Sequence, residues 1–245
     1  NPEVLYEFIR LLKFLVSKGV RLFRLDAIAF LWKESGTPCV HLNQTHEVVK
    51  LIRLILEQLN PESVLITETN VPNRENLSYF GNDNEAHLIY NFSLPPLLIY
   101  ALLKGDSTLL KSWMMSMPPA RRGRSYLNFI ASHDGIGLSP LEGLVSDKDQ
   151  KKLLNTLKSF GGNISNRKVN NKEVPYEANI SLFDAMKGTI KNGIDDFQEL
   201  RFIYAHTILL ALEGIPAFYI HSFIGTENAY DLVKETGHSR SINRY

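Results

Sequence analysis

Val20-Arg21-Leu22-Phe23-Arg24-Leu25-Asp26 and Ser63-Val64-Leu65-Ile66-Thr67-Glu68 are the two stretches on which the reading of this chain turns. Each is short, largely apolar and closed by a carboxylate. The second is apolar at consecutive positions, the pattern of a strand covered on both faces. Each also follows a helical pattern. Residues 3–18 place Val4, Leu5, Phe8, Leu11, Leu12 and Leu15 at helical spacing and stop at Gly19; residues 43–60 do the same through Val48, Leu51, Ile52, Ile55 and Leu59. Asn43 or Thr45 is the expected N-cap of the second helix, and Asn60-Pro61 its end.

Outward from these stretches the alternation continues. Residues 86–92, 126–131 and 215–220 read as strands, and 94–103, 108–117, 147–160 and 194–212 as helices. Residues 139–196 are otherwise irregular, with Gly161-Gly162 as a hinge or turn. Strands alternating with helices imply an α/β fold built from parallel βα units. A closed (β/α)8 barrel needs eight strands in roughly 250 residues. Five are found here, and an insertion at about 135–196 uses up length. The periodicity therefore allows either part of such a barrel or an open five-stranded sheet.

Of the 245 residues, 44% are hydrophobic and 22% charged, a balance that excludes intrinsic disorder. Lys+Arg number 27 against 26 Asp+Glu, so no nucleic-acid partner is indicated. No run approaches the roughly 18 uncharged apolar residues of a membrane span. The single Cys39 cannot form an intrachain disulfide, which fits a reducing, cytoplasmic setting. The chain opens at Asn1-Pro2, without Met or signal peptide, and reads as an excerpt of a longer protein. Asn-X-Ser/Thr triplets at Asn43, Asn76, Asn91, Asn163 and Asn179 read as accidents of an Asn-rich composition.

Three strand patterns end in an acid: Arg24-Leu25-Asp26, Ile66-Thr67-Glu68 and Ser132-His133-Asp134. In a parallel α/β barrel the C-terminal strand ends open on one face, where chemistry sits. Side chains alternate along a strand, so Arg24 and Asp26 share a face, and the Arg favours an ionised carboxylate suited to a nucleophile. Glu68 follows an apolar run, where poor solvation favours a proton donor. Two carboxyl groups with opposed demands are the minimum equipment of a glycosidase. Any one acid at a strand end is more often a cap or a surface ion pair; the ordered set is what carries the reading. All three are expected around one hexose-sized hollow.

Six separated segments also carry a resemblance. FRLDAIAFLWKE (23–34), LITETNVP (65–72) and FIASHDGIG (129–137) are similar, in order, to the second, third and fourth conserved regions of the alpha-amylase superfamily of retaining glycoside-active enzymes, and within it to the sucrose-phosphorylase subfamily. PYEANISLFDA (175–185), GIPAFYIHSFIG (214–225) and SRSINR (239–244) resemble that subfamily's acceptor loop, eighth strand and following loop. The resemblance implies the C-terminal portion, about strands four to eight, of a (β/α)8 TIM barrel. Residues 1–245 would be a partial catalytic domain, with the N-terminal barrel part, the first conserved region and the C-terminal β domain missing, and this piece alone would be poorly active. It implies Asp26 as the nucleophile, Glu68 as general acid/base and Asp134 as transition-state stabiliser. Arg24 would orient the nucleophile, His133 and Arg244 would contact the donor sugar, and Tyr176 and Glu177 would lie in a mobile loop exchanging sugar acceptor for phosphate. Glu177 departs from the Gln of typical sucrose phosphorylases and resembles the branch acting on glucosylglycerate or phosphorylated sucrose.

A glucosyl-enzyme can be opened by phosphate, water or another sugar. Arg240, Arg244 and the run Arg121, Arg122, Arg124 are the candidate cations for phosphate, although the 121–124 run reads more readily as a solvated loop. His41, His46, His87 and His221 lack paired metal-ligand spacing, so no metal and no organic cofactor are expected, with phosphate as co-substrate. An α-glucoside phosphorylase, a hydrolase or transglucosidase with the same acids, and an inactive fragment all remain open here. The expected partners are small sugars and phosphate, with neither nucleic acid nor membrane.

Overall fold

The computed structural model describes residues 1–169 and 172–245. It divides into two compact units, residues 1–90 with 120–127 and residues 91–119 with 128–245.

The first unit is built on parallel strands. Helix α1 (Pro2–Ser17) begins at Asn1, whose side chain accepts the Glu3 N–H, and gives way at Lys18 to Gly19 with a φ of 90°. Strand β1 (Leu22–Leu25) pairs in parallel with β2 (Val64–Thr67), Leu22 opposite Val64 and Leu25 opposite Thr67. Helix α2 (Asn43–Leu59) connects them. Its N-cap is neither Asn43 nor Thr45 but Leu42, with no side-chain cap; Asn43 already lies inside the helix, and Thr45 is buried. Asn60 ends α2 as expected. Helix α3 (Asn73–Ser78), unread in the sequence, leads to β3 (Leu88–Tyr90), which pairs in parallel with β2. Phe23, Val49, Leu56, Leu65, Ile66 and Ile89 are buried between strands and helices. The consecutive burial of Leu65 and Ile66 is the two-sided covering their sequence suggests.

The second unit opens with α4 (Leu94–Lys104) and α5 (Thr108–Ser116). Pro95 and Pro96 occupy the first turn of α4, where a missing N–H costs nothing, and Gly105 caps it in the left-handed region. Strand β4 (Ser125–Asn128) pairs in parallel with β3 within the first unit, Leu88 opposite Ser125; its last residue, Asn128, belongs to the second. There Asn128 is buried and exchanges hydrogen bonds with Asn91 and the Glu213 carbonyl, both at 2.9 Å. Its carbonyl accepts the Ala217 N–H at 2.7 Å, just beyond a short strand at Ile215–Pro216. All five expected strands exist, each shorter than its pattern.

Residues 139–196 are more ordered than expected. Strand β5 (Ile136–Gly137), helix α6 (Asp147–Ser159) and the strands β6 (Asn163–Val169) and β7 (Lys172–Asn179) form an antiparallel sheet of order β5-β7-β6 beside the helix. Polar and apolar residues alternate poorly in β6 and β7, and Pro175 interrupts β7, which hid them. The Pro is tolerated because the register shifts between Ser165 and Asn166, opposite it. Leu97, Leu98, Leu103, Leu138, Leu153 and Leu157 sit in one buried cluster that ties α4 and α6 to this insertion. Helix α7 (Leu182–Ala185), the hairpin β8 (Gly188–Thr189) and β9 (Gly193–Ile194), and α8 (Gln198–Ala211) follow. After β10 (Ile215–Pro216) come α9 (Ile220–Phe223), α10 (Tyr230–Thr236) and a short 3-10 turn at Ser239–Asn243. Among the described residues no helix is long and apolar enough to cross a membrane.

Candidate active site

In the first unit Arg24, Asp26 and Glu68 come together. Arg24 lies on β1 and Asp26 one residue beyond it, so strand alternation turns both to one side. Arg24 Nη1 donates to Asp26 Oδ1 at 2.5 Å, while Nη2 stands 4.0 Å from Glu68 Oε2. Burial works against the Arg24 charge, but the bond to Asp26 and the fields of Tyr90, Glu68 and Asp26 outweigh it and raise its pKa. The guanidinium also packs on the Tyr90 ring, 5.5 Å from its centroid. After Asp26 the chain turns sharply: Ala27 adopts the left-handed region, φ 46° and ψ 34°. That conformation is unfavourable for a residue with a Cβ, by about 1–2 kcal/mol. It aims the Ala27 N–H at Glu68 Oε2, 2.7 Å away. Glu68 is 14% exposed, Asp26 74%. Desolvation is therefore not the one influence on Glu68, since an N–H donor and a guanidinium face it as well.

In the second unit His133, Asp134, Glu177 and Arg244 come together around a residue whose part the motifs alone did not reveal, Arg240. Asp134 does not close a strand: β4 ends at Asn128, and the backbone from Phe129 runs on as irregular chain. Contacts from the C-terminal segment replace the strand. Asn243 Nδ2 donates to the carbonyls of Ser132 and Asp134, both at 2.9 Å, and Arg244 Nε to that of His133 at 2.6 Å. Asp134 Oδ1 accepts from Arg240 Nη1 at 2.7 Å and Arg244 Nη2 at 2.9 Å, with His133 Nε2 at 3.7 Å. Gly135 is required beside it. A Cβ there would lie 2.5 Å from Glu177 Cγ and 2.7 Å from the Ala178 carbonyl.

Tyr176 and Glu177 are not in a loop but on β7, where Glu177 pairs with Gly137 and Ser165. Glu177 is buried and bonded twice to Arg240, at 3.0 Å from Nε and 2.6 Å from Nη2. That bond, with the fields of Glu177, Asp134 and Tyr176, raises the Arg240 pKa against the opposing effect of burial. Tyr176 stacks under Arg167 at 5.3 Å. The hollow of the second unit is walled by Asp134, Phe92, Phe129, Tyr219, His221 and Asn243.

The other candidates have local duties. Arg124 bonds Asp83 at 2.8 Å and covers the Phe80 ring. His41 meets the Tyr79 hydroxyl at 3.1 Å, His46 meets Glu85 at 2.7 Å, and His87 accepts the Leu65 N–H at 3.0 Å. Among the described residues no cluster of three or more His, Cys, Asp or Glu has the geometry to hold a metal ion. Sequence reasoning passed over Ala27 and Asn243. The first gave no signal, because only its backbone is used; the second stood inside SRSINR, between the two arginines.

No protein-family model matches the chain. Its fold is that of a solved α/β phosphorylase: it superposes on the crystal structure of sucrose 6F-phosphate phosphorylase from Thermoanaerobacter thermosaccharolyticum with a TM-score of 0.82 and 22% identity, over 97% of this chain and 45% of that one. In sequence it is similar to proteins named glucosylglycerate phosphorylase. It is 45% identical over 245 residues to the one from Spirochaeta thermophila and 41% identical over 246 residues to the one from Escherichia coli. All of this chain is matched, but 41% and 44% of those proteins, so the chain spans less than half the length of the curated relatives it matches.

Proposed function

We propose that the protein carrying this chain is a retaining α-glucoside phosphorylase that moves a glucosyl group to phosphate, and that glucosylglycerate is its donor. The observation that supports it most is the 45% and 41% identity to glucosylglycerate phosphorylases over the whole of this chain. On this reading residues 1–245 are the C-terminal portion, about strands four to eight, of a (β/α)8 catalytic domain. Asp26 attacks the anomeric carbon while Glu68 protonates the departing oxygen, leaving a β-glucosyl ester on Asp26. Glu68, now a carboxylate, takes the proton from phosphate as its oxygen displaces Asp26, and α-glucose 1-phosphate leaves. The short bond from Arg24 suits a nucleophile held in a fixed orientation. Asp134, His133 and Arg244 grip the hydroxyls of the donor glucose, with Tyr176 and Glu177 on the acceptor side. Neither metal nor organic cofactor takes part, the partners are the sugar and phosphate, and the setting is cytoplasmic.

The test is to incubate the full-length protein with glucosylglycerate, sucrose or sucrose 6-phosphate, with and without phosphate. Phosphate-dependent formation of α-glucose 1-phosphate, fastest from glucosylglycerate, is the expected result. Glucose release that ignores phosphate would make the protein a hydrolase.

A further inference from the structure

Glu177 is 3% exposed, and both its oxygens face one partner. Arg240 donates to them from Nε and Nη2 and to Asp134 from Nη1 at 2.7 Å. A buried carboxylate is costly without such a pair, and a two-pronged guanidinium contact fixes orientation as well as charge. Gripping two nitrogens of a planar group determines where the third points, and here the third meets Asp134. Yet the Arg240 side chain is 42% exposed, so an anion from solvent can reach it. Arg244 shares the same Asp134 oxygen. Two carboxylates and two guanidiniums thus balance at this spot, and removing one carboxylate leaves a net positive charge facing solvent.

We propose that Glu177 is a positioning residue acting through Arg240: it holds the guanidinium on Asp134 and withholds it from an anionic co-substrate, so that residue 177 sets how tightly phosphate is taken. The inference rests on the phosphorylase reading above for the identity of the anion. With Glu177 neutralised, Arg240 keeps one carboxylate instead of two, and its unbalanced charge draws a phosphate oxygen to the exposed side of the guanidinium. Charge at position 177, and not contact with the acceptor alone, then governs the exchange of sugar for phosphate.

A double-mutant cycle on the full-length protein tests this, with inorganic phosphate as the probe. Binding is read by calorimetry and, during turnover, as KM for phosphate against kcat. Glu177→Gln is expected to tighten phosphate about tenfold, and the same replacement in an Arg240→Gln background to change it less than about twofold. Arg240→Lys, which keeps the charge but loses the fork, is expected to lower kcat without tightening phosphate. A gain that persists in the Arg240→Gln background, or no gain in either, overturns the relay. Should Glu177→Gln fail to fold, Glu177→Asp serves instead: its shorter arm loosens the fork and is expected to tighten phosphate by a smaller factor, again abolished by Arg240→Gln. Failure of the relay appears as unchanged phosphate binding in a protein that still forms α-glucose 1-phosphate. Failure of the phosphorylase reading appears as absence of that product from the unsubstituted protein.

Discussion

Asp26 and Asp134 are both carboxylates met shortly after a parallel strand, and they are held in opposite ways. Asp26 follows β1 directly, is largely exposed, and takes its guanidinium from Arg24 two residues back. Asp134 lies beyond the end of β4, is 31% exposed, and takes two guanidiniums from a segment more than a hundred residues later in the chain. The first arrangement is local and follows from strand alternation alone. The second depends on the C-terminal segment folding back onto residues 132–134.

The sharpest way to break this contrast is at Asp26. Asp26→Ala is expected to lower glucosyl transfer by at least about 10³-fold, as removal of a nucleophile does. Mass spectrometry after treatment with a 2-fluoroglucosyl donor should then find no labelled chain; a retained label would place the ester elsewhere. Next comes its neighbour. Glu68→Gln is expected to slow donors with poor leaving groups by about 10²–10⁴-fold and activated donors far less, because only the former need the proton. Equal losses for both classes would remove Glu68 from that role.

On the other side of the comparison, Asn243→Ala deletes the donor shared by the Ser132 and Asp134 carbonyls. It is expected to cost about 1 kcal/mol of stability, the net worth of hydrogen bonds to partly buried acceptors. Chemical denaturation reads that loss, and an unchanged midpoint would mean that the Arg240 and Arg244 contacts suffice.

The smallest effect concerns the frame beneath Asp26 and Glu68. Burial, then the nearby Arg53, pull the His87 imidazole below its ordinary pKa, and its Nδ1 accepts the Leu65 N–H. The unfolded chain therefore binds a proton at a higher pH than the folded one. The stability this group contributes is complete above the ordinary histidine range near 6.5 and is lost as pH falls through the lower folded value. His87→Gln should flatten that part of the stability profile, measured by denaturation between about pH 7.5 and 5.

The parallel strands, the helices α1, α2, α4, α5, α6 and α8, and the Arg24–Asp26 pair were legible because each rests on spacing within a few residues. The β6–β7 hairpin was not. Its strands are polar, one carries a proline at the register shift, and their pairing is decided by partners across the sheet, with Ala178 and Ile180 buried against α4 and α6. The placement of Glu177 followed from that omission: a residue assigned to a loop proved to be a buried strand residue with a committed partner.

By itself, then, the sequence determined the parallel strands and the longer helices, which acids stand near the strand ends, and that Arg24 faces Asp26, since backbone periodicity acts over short distances. Only the tertiary structure decided that Arg240 joins Asp134 to Glu177, that Asn243 anchors the chain beneath Asp134, and that the Ala27 N–H reaches Glu68. Those contacts join residues far apart along the chain, and a charged or polar side chain finds its partner only once burial has removed water as the alternative.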